Sequence, residues 1–348
     1  MSLLNDSVDF PISTLVEDLE IIILENSDSA LVSRYLTFTS ENYIGIYTLE
    51  SQYKLFDKEG NLICFVGRKG IGPGEYIFIY DSYIDEENER IYLLPWMQKK
   101  IFIYDLKGKF IKDIPLPEFV PKARFKIDTK NEMITILILP FKDRNEYAIW
   151  QIDFEGNIIK SIDSSFFAQR PDYGNEVISY RNTNNIDYYI AGYPYKQDSL
   201  FYYIPEENKL QPLFTLQFGN VEPFFHYYVD LPNHVLTILS AQDQIDKSGQ
   251  FYKPMPDMFI VEKESLKGSW VNIVVDELGN LPIPTSTSFQ DGYFVANMYP
   301  HELKESFENI LTDSDNSLSQ ERKDKINSLY DQIDEDGNNI IILGKLKQ

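Results

Sequence analysis

The chain has 348 residues, 43% of them apolar, 14% aromatic, and a net charge of −22. That apolar content supports a sizeable core and excludes global disorder, while apolar runs such as 21–24 and 134–140 fall far short of the roughly 18 residues of a membrane span. So acidic a chain also excludes nucleic acid as a partner, because phosphate binding needs clustered Lys and Arg.

At the N-terminus, Met1-Ser2-Leu3 has no basic n-region and no apolar h-region follows, so it reads as a start fused to a mature segment. Residues 19–24 are an apolar strand without a local partner. Residues 43–48 and 53–62 follow, the second holding Asp57-x-x-Gly60. Asp bonds its own downstream backbone in such a turn, and Gly supplies the positive φ that reverses a hairpin. The single cysteine, Cys64, lies in the apolar run Leu62-Ile63-Cys64-Phe65-Val66. It reads as a small buried hydrophobe and permits neither an intrachain disulfide nor a thiolate zinc site.

The hairpin recurs. Residues 101–110 and 149–158 align with 53–62 without gaps, and Asp57, Asp105 and Asp153 are spaced by 48 residues. Degenerate copies lie at 199–210 and 258–270. A further strand precedes each hairpin, at 90–94, 133–139, 187–191 and 234–239, and an innermost strand precedes most of these. Four strands per unit at this period predict an all-β fold, a six-bladed β-propeller with four-stranded blades. The sixth blade begins near 283–288, continues through 292–299 and resumes at 339–345. Between these segments Leu303, Phe307, Ile310 and Leu311, then Ile326, Leu329, Tyr330 and Ile333, follow helical spacing, with Ser317 and Gln320 as a capping box. Residues 301–335 are therefore a small helical insertion in the last blade, and 1–348 form one propeller domain. That blade lacks an outer strand, which the N-terminal strand around Ile22 supplies by pairing near Ile341, closing the ring.

After the first hairpin comes Gly67-Arg68-Lys69-Gly70-Ile71-Gly72-Pro73-Gly74-Glu75-Tyr76. Its glycines and proline suit a backbone crossing from one blade to the next. No Gly-Lys-Ser/Thr follows and the loop precedes a strand, so it is not a phosphate loop. The string G-x-G-P-G-E-[YF] in this place resembles the six-bladed propellers abundant in Bacteroidetes, related to NHL and TolB-like propellers. The resemblance implies an exported or lipid-anchored protein of the cell envelope or periplasm, with any anchor upstream of this segment.

Loops at one end of a propeller channel form the usual binding face. The crossings here carry Arg124, Arg170, Tyr173, Arg181, His226 and Tyr227, and Arg170-Pro171-Asp172-Tyr173 pairs a guanidinium with an aromatic platform suited to a carboxylate or sugar. The ligand-binding candidates are Arg68, Glu75, Tyr76, Arg124, Arg170, Tyr173, His226 and Tyr227. Three histidines (His226, His234, His301) form no HExxH or HxH, so no metal site and no cofactor are assigned. Asp313-Ser314-Asp315-Asn316-Ser317 and Asp334-Glu335-Asp336-Gly337-Asn338 lack the glycine and glutamate of a calcium loop and read as helix-end turns. No G-x-S-x-G occurs, so no catalytic residue is assigned. The favoured reading is a non-catalytic envelope protein that binds a glycan, peptide or partner protein through its loop face. The alternative is a metal-dependent lyase or hydrolase with a calcium-like site in the central channel.

Overall fold

Apolar β-branched and aromatic runs punctuated by reversing turns build sheets, and the repeat sets how many. The computed structural model describes residues 7–34, 36–96, 98–172, 174–192, 198–217, 225–239, 244–245, 251–252, 256–313 and 318–348. Six antiparallel blades follow one another. Blade one contains Leu36–Thr39, Tyr43–Tyr47, Tyr53–Asp57 and Leu62–Val66. Blade two contains Ile79–Asp85, Arg90–Pro95, Lys100–Asp105 and Phe110–Pro115; blade three, Ala123–Asp128, Met133–Ile138, Tyr147–Asp153 and Ile158–Asp163. Blade four contains Glu176–Ile178, Ile186–Ala191, Leu200–Ile204 and Lys209–Phe214; blade five, His226–Asp230, His234–Leu239, Asp257–Glu262 and Gly268–Val275. Blade six contains Thr287–Gln290, Tyr293–Met298, Ile340–Leu346 and, as its outer strand, Val16–Ile23.

The ring closes in the register expected, with Ile22 opposite Ile341. A second N-terminal strand, Val8–Pro11, runs parallel to the outer strand of blade five, which the sequence reading did not anticipate. Residues 8–23 therefore bridge blades five and six and cover both outer edges. The first strand of blade six begins at Thr287 rather than near Ile283, because Pro282 and Pro284 hold the preceding residues in the crossing. Between the second and third strands of that blade lie α1 (Pro300–Thr312) and α2 (Gln320–Gln332). The N-cap of α2 is Ser319, whose Oγ accepts from the Arg322 amide at 3.4 Å; Ser317 lies outside the described residues.

The repeated turns are equivalent. The Asp57, Asp105 and Asp153 carboxylates accept the amides of Asn61, Lys109 and Asn157 at 2.8, 2.9 and 2.8 Å. Gly60, Gly108 and Gly156 have φ of 86°, 76° and 86°. Each also meets the outer strand of the preceding blade: a Cβ there would lie 2.3, 2.1 and 2.3 Å from the carbonyl oxygens of Ile23, Phe65 and Pro115. One residue thus serves both the turn and the blade interface. Six apolar clusters fill the six interfaces, and the one between blades five and six extends under α1 and α2 through Leu303, Phe307 and Ile326.

Gly108→Ala, which meets a backbone carbonyl as well as the left-handed φ, is expected to lower unfolding stability by about 2–5 kcal/mol in denaturant titration. Gly292→Ala, at φ 82° with nothing within 4 Å of its Cβ, should lose only the conformational part, about 1–2 kcal/mol.

Candidate functional site

The first strands of successive blades lie against one another around the axis. Strand direction alternates within a blade, so the crossings into the first strands and the connections between second and third strands share one end of the channel. The helices belong to that end: Arg34, on the crossing into blade one, pairs with Glu302 of α1 at 2.5 Å and lies 4.0 Å over the Tyr299 ring. The opposite end carries the short turns between first and second strands.

The channel is filled by charge midway along the axis. Arg181 follows the first strand of blade four with φ 57°, which turns its side chain across the ring. Its Nη1 donates to Asp81 Oδ2 of blade two at 2.6 Å and to the Phe125 carbonyl of blade three at 2.9 Å. Its Nη2 donates to the Ser82 carbonyl at 2.9 Å, and its Nε to Asp291 Oδ1 of blade six at 2.5 Å. Further bonds run alongside: the Asp291 main-chain amide donates to the Tyr180 carbonyl at 2.8 Å and the Asn182 side-chain Nδ2 to the Phe289 carbonyl at 2.9 Å. Below this layer, Asp230 takes Lys263 at 2.7 Å and the Tyr202 hydroxyl, and Lys126 donates to the carbonyls of Thr183, Asn184 and Asn185 at 3.1, 2.8 and 2.9 Å. Burial, and then the neighbouring Asp230, push the Asp187 carboxyl up to about 6.

Above the plug, at the crossing end, the mouth is aromatic and polar. Tyr80 and Lys122 both donate to Glu176. Arg124 donates to the Tyr80 carbonyl at 3.2 Å, lies 5.1 Å over the Tyr80 ring and sits 3.6 Å from Asp81, whose carboxylate Arg181 also holds. Its buried Nε has no acceptor among the described residues. Burial raises the Tyr180 phenol, the neighbouring Tyr227 adds to this and Arg124 opposes it. A small cleft of about 70 Å³ opens next to Tyr180 and Tyr227, between blades five and six, over Met258, Ile283, Thr287 and Phe289. The Thr287 hydroxyl, buried in that wall, likewise has no partner among the described residues.

Residues 2–345 match a family described as a domain of unknown function, DUF4934. The chain belongs to this family. None of the curated proteins matches it. Among solved structures it is similar to a Bacteroides fragilis NCTC 9343 protein described as exported, with 16% identity, 99% of this chain and 98% of that chain covered, and a TM-score of 0.66. It is also similar to a DUF4221 family member from Bacteroides vulgatus ATCC 8482, with 11% identity, coverage of 96% and 98%, and a TM-score of 0.55. At such identities the likeness is one of fold, and it agrees with the Bacteroidetes propeller resemblance of the Gly-Pro-Gly-Glu-Tyr crossing. No helix among the described residues is long and apolar enough to cross a membrane.

Within this DUF4934 chain the structure brings Arg124 and Tyr227 to the channel mouth. His226 is buried against Tyr189 and Tyr228, its Nε2 2.8 Å from Asp198 Oδ1. Arg68 and Glu75 lie at the outer rim, and Arg170 is exposed on the crossing into blade four. Tyr173 lies outside the described residues. Tyr76 is fully buried: its hydroxyl accepts from the Tyr53 amide at 2.8 Å and donates to the Val66 carbonyl at 2.7 Å, so it secures the crossing and has no exposed face. Glu75 accepts the Gly72 amide at 3.0 Å within the same loop. Arg181, expected in a crossing with the binding-face residues, instead lies between the first and second strands of blade four and is the channel plug. Cys64 is half-buried, and burial followed by Asp105 pushes its thiol up to about 11. Asp334 forms the helix-end turn expected of it, accepting the Gly337 amide at 3.0 Å. Sequence reading missed Tyr80, Lys122, Glu176 and Tyr180 at the mouth. Lys122 and Glu176 carry one usable signal, a charged residue within a residue of the start of a predicted inner strand.

Arg181→Met leaves Asp81 and Asp291 buried without their partner, and unfolding stability should fall by about 3–5 kcal/mol. Asp187 keeps its proton in the folded chain up to about pH 6, whereas an unfolded Asp releases it near about 4. Its stabilising contribution is thus present below about pH 4 and lost as pH rises through about 6. Asp187→Asn should flatten that decline in stability measured against pH.

Proposed function

We propose that the protein is a non-catalytic binding module of the cell envelope or periplasm whose channel mouth receives a carboxylate-bearing peptide or glycan. The observation that carries this is the Nε of Arg124, buried at the mouth and without an acceptor among the described residues. A buried donor left unpaired costs about 1–3 kcal/mol, and a hydrogen bond to a charged group returns a similar amount. A ligand carboxylate supplies that acceptor, and Tyr80, Tyr180 and Tyr227 supply aromatic surface of the kind that gives large contact area at low entropic cost. The described export of the Bacteroides fragilis relative supports a place outside the cytoplasm.

The metal-dependent alternative has less support. Asp81 and Asp291, carboxylates of two blades that meet in the channel, bracket the Arg181 guanidinium, so the protein's own cation stands between them. Among the described residues no three His, Cys, Asp or Glu side chains converge as metal ligands.

The test is an array of peptides with free C-termini and of uronic-acid oligosaccharides, followed by calorimetric titration of the hits. Wild type should bind, amidated or neutral analogues should not, and Arg124→Gln should weaken binding roughly tenfold or more. Equal affinity of Arg124→Gln and wild type would sink the reading.

A further inference from the structure

A second feature lies away from the channel, at the outer rim between blades one and two. The crossing after blade one opens with Arg68–Lys69 and ends with Glu75–Tyr76, paired in parallel. Opposite stands the hairpin turn of blade two, carrying Lys107 and Lys109. Between them runs an open groove of about 730 Å³, with Gln52, Phe65 and Phe110 among its lining residues. Phe65 is 38% exposed, a large aromatic face left at the surface.

Three cations line this groove, Arg68, Lys107 and Lys109. All three are exposed, and none makes an ion pair among the described residues. Glu75 also lines the groove, and the carboxylates close by are engaged by main-chain amides. Glu75 is bonded to the Gly72 amide of its own loop, and Asp105 is bonded to the Lys107 and Lys109 amides of the hairpin. On a chain of net charge −22, cations are most easily matched by local carboxylates. Three cations against one lining carboxylate, Glu75, leave the groove locally positive, which would attract an anionic ligand.

We infer that this rim groove binds an acidic oligosaccharide. The cations stand on two separate loops, so one small anion would not engage them all, whereas anionic groups repeated along a chain would. Arg68 offers a fork for a carboxylate or sulfate, and the two lysines offer point charges. Phe65 and Phe110 provide apolar faces for sugar rings, and the Gln52 amide provides hydrogen bonds to hydroxyls. The inference does not rest on the channel-mouth reading, since no residue of the mouth lines the groove.

The experiment is fluorescence anisotropy of a labelled, sulfated heparin-derived hexasaccharide against the full chain, at low and at physiological salt. Wild type should bind, more weakly at the higher salt. Lys107→Glu with Lys109→Glu should weaken binding roughly tenfold or more, as should Arg68→Ala with Lys109→Ala, and thermal melts of both should match wild type because the side chains are exposed. Arg124→Gln should leave this binding unchanged. Absence of binding by wild type, or unchanged binding by both groove variants, overturns the site. Loss of binding in Arg124→Gln overturns its independence from the mouth. Equal binding of poly-glutamate overturns the saccharide class.

Discussion

A guanidinium held inside the ring is the constraint from which the rest of the architecture can be understood. Removing a charge from water costs several kcal/mol, and the cost is met only if partners are placed with good geometry. Arg181, on blade four, gathers those partners from three other blades: Asp81 and Ser82 of blade two, Phe125 of blade three and Asp291 of blade six. Blades four and six are not neighbours in the ring, so this contact fixes the separation of elements that share no sheet and no blade interface. The left-handed φ of both Arg181 (57°) and Asp291 (57°) is the conformational strain accepted to bring them together.

The same contact divides the channel into two environments. Below it, Asp187 and Asp230 lie with Lys126, Lys263 and Tyr202 in a layer of satisfied ion pairs and hydrogen bonds. Above it, Arg124 shares Asp81 with Arg181 and receives only part of that carboxylate, at 3.6 Å. The mouth therefore keeps a cation whose donors are incompletely used, while the interior does not. Electrostatic asymmetry of this kind needs no moving part. It follows from one carboxylate serving two guanidinium groups at unequal distance.

Around the rim a different economy holds the ring. Each Asp-x-x-Gly turn presses its glycine against the carbonyl at the end of the preceding outer strand, and the amides of Glu25 and Gly67 donate to the Gly60 and Gly108 carbonyls at 2.9 and 3.1 Å. The degenerate blades place Asn208 and Leu266 in the left-handed conformation instead, at φ 47° and 56°. Asn tolerates that region and Leu does not, which is why these units are hard to see as repeats although they fold as blades.

The blade count, the hairpin turns, the helical insertion and the closing strand could be read from residues alone, because each rests on short-range chemistry: alternation of apolar side chains, Asp and Gly at fixed turn offsets, apolar spacing at helical period. Ile22 needed a partner strand and Ile341 lacked one, and a closed ring allowed few other solutions. The site was only half legible. Arg124 and Tyr227 stood out as charged and aromatic residues near crossings, but so did Tyr76, whose hydroxyl is enclosed by main-chain groups, and Arg181, which spans the axis. Nothing local distinguishes these four. Whether a side chain faces solvent, plugs the channel or secures a loop depends on which residues from other blades arrive beside it. Asp81, Arg181 and Asp291 are separated by 100 and 110 residues in the chain and meet only when the ring has closed. Sequence periodicity determined the ring; long-range convergence, which periodicity does not encode, decided which of its charges are fully paired and which are not.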